Sequence, residues 1–254
     1  MRVNTLHYRV MEDVRVMYDA VSDLFPVQMP ARFNTRAQNV SSFVKALNKR
    51  MEPHGVFNER KYDLEIEPGK VFTSGLYLNN AELPENGSHA DIRILWHAHP
   101  ATKRIQWTQA LWNRRRMFFW TMFMHESIHR HQDAVRPYDR TEKTFKPWST
   151  TRDVKEQQNY LGAYDEIETH SHDAAVELYA WWGNLSFTEA VDAAQNYTGR
   201  MVTPTYKFFT ITFDETPVHP AVKAFKKKVR DWYDIIKKYP EVYDMLKLPN
   251  LSEP

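Results

Sequence analysis

Apolar residues near the start of the chain follow a helical spacing in two segments. In residues 9–25 they recur every three or four positions, which predicts an amphipathic helix that ends before Pro26. Residues 38–51 repeat this spacing, and Gly55 is the expected end of that segment. Each predicted helix therefore has one apolar face that can pack on a core.

The spacing then changes to the alternation that is typical of β-strands. Residues 62–67 and 71–78 are separated by a Pro-Gly turn, so we predict that they form a β-hairpin. The polar residues 79–90 predict a surface loop. Residues 91–98 alternate again, and residues 104–107 are a candidate for an antiparallel return strand. The prediction is a small, mostly antiparallel sheet.

A long segment without glycine or proline follows the predicted sheet. Residues 112–135 are rich in large apolar side chains, which predicts a buried helix with Thr108 as its N-cap and Pro137 beyond its end. The run Arg114-Arg115-Arg116 lies within this segment, and we expect it to form a solvated outer face.

A second helix with unusual composition is predicted after Gly162. Asp165 and Glu168 resemble a capping box at its start, and Gly183 marks its end. Along this helix, acidic and histidine residues form one stripe beside an apolar stripe, because they recur at helical spacing. The acidic stripe comprises Glu166, His170, Asp173 and Glu177.

The remaining C-terminal sequence predicts two more helices, over residues 188–196 and 220–239. The second has an apolar face and a lysine-rich face, which we expect to be solvated. Residues 137–163 and 197–217 have no clear period. The order of helices, a small sheet, the long helix and further helices predicts an α+β fold.

Composition restricts the possible classes of protein. With 254 residues and 42% hydrophobic residues, the chain can form a single domain over 1–254, with an N-terminal lobe at 1–137 and a helical lobe at 138–254. A net charge of +2 does not suggest a nucleic-acid or membrane surface. Cysteine is absent, so a metal site must use His, Asp or Glu. We see no signal peptide or membrane span and expect an intracellular protein.

The long helix contains the sequence His125-Glu126-Ser127-Ile128-His129, which has the pattern H-E-x-x-H. Residues i and i+4 lie on one face of a helix, so His125 and His129 can share one Zn²⁺. Glu126 can then reach a water held by that ion and take its proton. The pattern is typical of metal-dependent hydrolases, above all metallopeptidases.

This motif, preceded by a small sheet, resembles the arrangement of zincin metallopeptidases. The resemblance implies that an edge strand of the sheet lies beside the active-site cleft and pairs with an extended peptide or protein substrate. Residues 91–98 are the candidate for that strand. His97 and His99 share a face at strand spacing, and we expect them to be surface residues.

The third ligand separates several zincin families. The metzincin pattern needs Gly at 132 and His at 135, where this chain has Gln132 and Val135, so that family is excluded. Peptidases similar to SprT use a downstream histidine, for which His131, His170 and His172 are candidates.

Residues 166–175 instead resemble the E-x-x-A-[D/N] helix of gluzincins, including the ImmA/IrrE-like peptidases often encoded by phages and mobile elements. This resemblance covers residues 125–131 and 160–180. It implies that Glu166 is the third zinc ligand and that His170 occupies the position of a supporting residue. Thr169 stands where that family has alanine.

The sequence thus predicts a zinc-dependent peptidase in which His125, His129 and Glu166 bind Zn²⁺ and Glu126 is the general base. A donor to the oxyanion is also expected, with four candidates: Tyr160, Tyr164, His170 and His219. One alternative is a structural or virion-associated zinc protein without turnover. A di-iron carboxylate bundle is another, but it needs a second E-x-x-H helix, which the sequence lacks.

Overall fold

The computed structural model describes residues 3–35, 37–77, 91–135, 153–198, 203–213 and 218–243. The predicted loop at 79–90, Pro137 and most of the polar stretch after it lie outside these ranges. The described residues divide into two compact units. We call residues 8–131 the N-terminal unit, and residues 3–7 with 132–243 the C-terminal unit. Within the described ranges, no helix has the length and apolar character that crossing a bilayer requires.

The elements up to the long helix combine helices with short strands. In chain order they are α1 (Val3–Val21), α2 (Ala31–Thr35), β1 (Gln38–Asn39), α3 (Val40–Met51), a 3₁₀ turn (Glu52–His54), β2 (Val56–Tyr62), β3 (Val71–Tyr77), β4 (Ile92–Ala98), β5 (Arg104–Ile105) and α4 (Gln109–Val135).

After α4, the described residues form helices only. These are α5 (Val154–Leu161), α6 (Tyr164–Trp182), α7 (Phe187–Thr198), α8 (Pro204–Thr212), α9 (Pro220–Lys238) and α10 (Pro240–Tyr243). The α+β class predicted from the sequence is confirmed.

The three-stranded sheet has the order β2-β4-β3, with β4 parallel to β2 and antiparallel to β3. The predicted hairpin of residues 62–67 with 71–78 is therefore wrong, because β4 lies between the two outer strands. The prediction that residues 91–98 form an edge strand is also wrong, since β4 pairs along its whole length on both sides. The sheet is mixed rather than mostly antiparallel. The short strand β5 pairs with β1 instead of returning along β4.

One face of this sheet packs into an aromatic core. Ile92, Ile94, Trp96 and Ala98 alternate as buried residues along β4, as the sequence predicts. Around them, Phe25, Phe43 and Trp112 make edge contacts, with the Phe25 and Trp112 ring centroids 4.7 Å apart. Such aromatic contacts stabilise the core beyond what the burial of apolar surface alone provides. The apolar stripes of α1 and α3 are buried in the N-terminal unit, so both predicted helices are confirmed.

The helix α4 begins near Thr108, whose hydroxyl accepts a hydrogen bond from the backbone N–H of Leu111 at 3.2 Å. This confirms the predicted cap. The expected solvated arginine face is only partly correct. Arg114 is exposed, but Arg116 is buried, and its Nε donates to the carbonyl of Phe25. Burial lowers the pKa of Arg116 to about 10.

In the C-terminal unit, α6 packs chiefly against α9. The apolar face predicted for residues 220–239 is confirmed, because Val222, Phe225, Val229, Trp232, Ile235 and Ile236 are buried in α9. The predicted capping box of α6 is wrong. Its N-cap is Ala163, which makes no side-chain capping bond, and Glu168 forms an ion pair elsewhere.

Candidate metal centre

The H-E-x-x-H residues lie on α4 within the N-terminal unit. His125, Glu126 and His129 are all buried, with 8%, 6% and 8% of their surface exposed. The two imidazole rings have centroids 5.0 Å apart, as expected for residues i and i+4 on one helical face. Buried polar side chains are costly unless they have partners, so this cluster needs compensation from its surroundings.

The Glu126 carboxylate lies directly against strand β3 at Gly75. A Cβ atom at residue 75 would come within 2.5 Å of the Glu126 Oε1 atom. Any larger residue there would force Glu126 to move, because real Cβ contacts are not that short. The sequence does not distinguish this glycine from one that only loosens a strand.

The residues that follow His129 are anchored by carboxylates. Arg130 forms a bidentate pair with Asp91 and also reaches Asp13 of α1, with its Nη1 3.4 Å from Asp13 Oδ2. The Nε2 atom of His131 is 3.2 Å from the same Asp13 oxygen. Together, His131 and Arg130 hold the pKa of Asp13 below its ordinary value, although burial opposes them. These contacts fix α4 against α1 and the start of β4.

The helix α6 carries an unusual number of buried ionisable groups. Glu166, Glu168, Asp173 and Glu177 are each at most 6% exposed. Glu168 forms an ion pair with Lys228 of α9. Both carboxylate oxygens of Glu177 accept hydrogen bonds from Thr205, at 3.0 Å from its N–H and 2.8 Å from its hydroxyl. Burial nevertheless raises the pKa of Glu177 to about 7.

The structure brings the three predicted ligands together. One possible ligand atom from each of His125, His129 and Glu166 lies within 4.8 Å of the others. Two imidazoles and one carboxylate are a usual donor set for a catalytic site. This buried group could hold a metal ion.

His170, the predicted supporting residue, lies near Glu166. Its Nε2 atom is 3.7 Å from the Glu166 Oε2 atom, one helical turn away on α6. A second possible group joins His170 with His125 and Asp173. The structure therefore offers one alternative ligand set, which shares His125 with the first.

The other histidines discussed in the sequence analysis have contacts elsewhere. His131 contacts Asp13, and His172 is fully buried against Trp232, with ring centroids 4.8 Å apart. The Nδ1 atom of His99 accepts a hydrogen bond from the Ala101 N–H in the turn after β4. His97 is not a simple surface residue, because its ring stacks on Phe72.

Two of the four candidate oxyanion donors also have local roles. His219 caps α9, because its Nδ1 atom accepts a hydrogen bond from the Ala221 N–H. The Tyr164 hydroxyl lies 3.4 Å from the Lys228 Nζ atom. Tyr160 is half-buried in α5, and His170 lies beside Glu166.

Comparisons with models of protein families, with curated proteins and with solved structures found no match.

Proposed function

We propose that this protein is a zinc-dependent peptidase of the gluzincin type. The observation that carries the proposal is the buried group of His125, His129 and Glu166, which combines an H-E-x-x-H helix with a carboxylate from α6. A purely structural zinc site has no use for a general base, yet Glu126 occupies that position in the motif. This favours a hydrolase over a structural zinc protein.

Each residue has a definite part in the proposed reaction. His125, His129 and Glu166 would bind the ion, and His170 would orient the Glu166 carboxylate. When bound, zinc supplies a Lewis acid that makes water more acidic and polarises the carbonyl of the peptide bond. The Glu126 carboxylate would accept the proton of the attacking water and then donate it to the nitrogen of the leaving amine.

The strand β3 replaces β4 as the proposed binding edge for a peptide. Among the described strands, β3 pairs with β4 alone, so its other edge is not used by them. It also contains Gly75, which lies against Glu126. An extended peptide that added to β3 would bind through main-chain hydrogen bonds next to the general base.

The Glu126→Gln variant tests the general base. We expect it to keep about one zinc per chain, because the motif histidines are intact, and to lose peptide hydrolysis by at least about 10²-fold. The measurements are elemental analysis and cleavage of a mixed peptide library by wild type and variant. Cleavage within a few-fold of wild type would remove Glu126 from the mechanism.

A comparison of Glu166→Gln with His170→Ala tests the third ligand. Loss of a supporting residue typically weakens metal affinity by about 10–100-fold, and loss of a ligand costs more. We therefore expect zinc to dissociate more readily from Glu166→Gln than from His170→Ala, as measured by competition with a chelating dye. The opposite order would favour the group of His125, His170 and Asp173 and a site with a histidine third ligand.

A further inference from the structure

A serine, a histidine and an aspartate meet on the sheet of the N-terminal unit. The Ser74 Oγ atom on β3 is 2.8 Å from the Nε2 atom of His97 on β4. The other ring nitrogen, Nδ1, is 3.9 Å from the Oδ2 atom of Asp63, which directly follows β2. Two strands and the residue after a third thus contribute the three members of one chain of polar contacts.

The imidazole of His97 is held in a defined orientation. The Phe72 ring stacks on it with a centroid distance of 4.4 Å and an interplanar angle of 4°. Burial holds the pKa of His97 below its ordinary value, although the charge of Asp63 opposes this. The lowered pKa favours the neutral ring, which is the form that can accept a hydroxyl proton.

This cluster is separate from the candidate metal centre. Successive residues of a strand point to opposite faces, and Gly75 faces Glu126 of α4, so Ser74 points to the other face. That face is accessible, since Phe72 and Leu76 are 39% and 44% exposed. These side chains offer an apolar surface beside the serine hydroxyl.

We propose that Ser74, His97 and Asp63 form a second, metal-independent site that hydrolyses esters with an apolar acyl group. The Ser74 oxygen attacks the ester carbonyl while its proton passes to His97 Nε2, and this proton then leaves with the alcohol. Water next attacks the acyl group on Ser74, gives its proton to His97, and releases the acid and the serine hydroxyl. The carboxylate of Asp63 stabilises the protonated imidazole.

A fluorophosphonate probe tests this proposal in the full-length chain, after treatment with a chelator. We expect covalent labelling at Ser74, located by peptide mapping, with fluoride as the leaving group. Ser74→Ala should abolish it, and His97→Gln should slow it by at least about 10²-fold. Ser42→Ala is the matched control, because Ser42 is an exposed serine at the start of α3, and it should label at the wild-type rate.

The Asp63→Asn variant provides a second measurement should His97→Gln disturb the sheet. Asp63 lies after the end of β2, so its replacement should leave the sheet folded and slow the labelling at Ser74. The chelator should not change the labelling at Ser74. The proposal would be overturned if residue 74 were not labelled in the wild type, or if neither His97→Gln nor Asp63→Asn changed the labelling. The contact between Ser74 and His97 would then be only a structural hydrogen bond between two strands.

Discussion

The two helices that carry the candidate ligands compensate their buried charges in different ways. On α4 the charged residues next to the motif are matched by carboxylates from other elements, as Asp13 and Asp91 match Arg130. On α6 the carboxylates belong to the helix itself. Glu168 is matched by Lys228, whereas Glu177 accepts hydrogen bonds from Thr205 and has a raised pKa.

This difference bears on the metal ion that we propose at one end of α6. Several buried carboxylates on one helix repel one another unless cations or protons are supplied. Lys228 supplies a cation for Glu168, and protonation of Glu177, whose pKa is about 7, reduces its charge near neutral pH. At Glu166 the proposed zinc would supply the cation. The following variants would break or sharpen the contrast between the two helices.

Loss of Lys228 should have the largest effect on stability. Lys228→Ala leaves the carboxyl group of Glu168, whose side chain is 3% exposed, without its ammonium partner. Removing one member of a buried pair typically costs about 3–5 kcal/mol of unfolding free energy, which urea denaturation at pH 7 would measure.

The control for this prediction is Lys223→Ala, an exposed residue of the same helix α9. It should change the unfolding free energy by less than about 0.5 kcal/mol. The double variant Glu168→Leu with Lys228→Ala should recover most of the lost stability. If Lys228→Ala were as stable as Lys223→Ala, the ion pair would not be what compensates Glu168.

The buried side chain of His7 gives the next largest expected effect, as a dependence of stability on pH. Buried His7 packs between Tyr239 and Tyr243 and faces His172 of α6. Burial, followed by the charge of His172, lowers the pKa of His7 to about 4. The unfolded chain therefore takes up this proton first as the pH falls.

The contribution of His7 to the unfolding free energy should thus be constant above about pH 6.5 and fall between about pH 6.5 and 4, by at most about 3 kcal/mol. Urea denaturation across this range would measure the fall. His7→Phe keeps an aromatic ring in the site and should flatten the profile. An equally steep profile in the variant would assign the pH dependence to other groups.

Glu177 gives the smallest expected effect, and its contribution to stability changes with pH in the direction opposite to that of His7. Because the pKa of Glu177 is raised to about 7, its contribution to stability is fully present below about pH 4.5 and is lost as the pH rises through 7. Glu177→Gln can keep both contacts with Thr205, so it should stabilise the protein at pH 8 by about 1–2 kcal/mol. Melting temperatures at pH 5 and pH 8 would check this, and a gain at pH 5 alone would contradict it.

Helical spacing in the sequence was a better guide than strand alternation. The apolar faces of α1, α3 and α9 were predictable, because each repeats over several turns. Of the alternating residues 62–67, only Tyr62 belongs to a strand, because the Asp63 carboxylate accepts a hydrogen bond from the Glu65 N–H at 2.9 Å and turns the chain. This local turn removes the predicted hairpin, and β4 can then pair between β2 and β3.

Two helices have capping residues that mark their starts, although the spacing of their apolar residues does not predict a helix. The helix α8 has an aromatic sequence with strand character, but Thr203 caps it and Pro204 occupies its first turn. The helix α5 lies in a polar stretch without a period, and its start is marked by Asp153, whose side chain accepts from the Lys155 N–H. Capping residues would have identified both helices.

The candidate ligands were predictable from motif and spacing, but their surroundings were not. His125, His129 and Glu166 could be proposed because the H-E-x-x-H pattern and the acidic stripe of α6 are local in sequence. Lys228 and Thr205 approach α6 from other helices, and Gly75 approaches α4 from a strand. Only tertiary packing brings these residues into contact, and no local pattern marks them.

The contact between Gly75 and Glu126 limits how the chain can change in length during evolution. A one-residue insertion or deletion that shifted the register of β3 would exchange the two faces of the strand. Residue 75 would then turn away from α4, and a side chain such as that of Ser74 or Leu76 would face the Glu126 carboxylate. Relatives should therefore vary in the length of the turn before β3 only where the pairing of Gly75 with Ile94 is preserved.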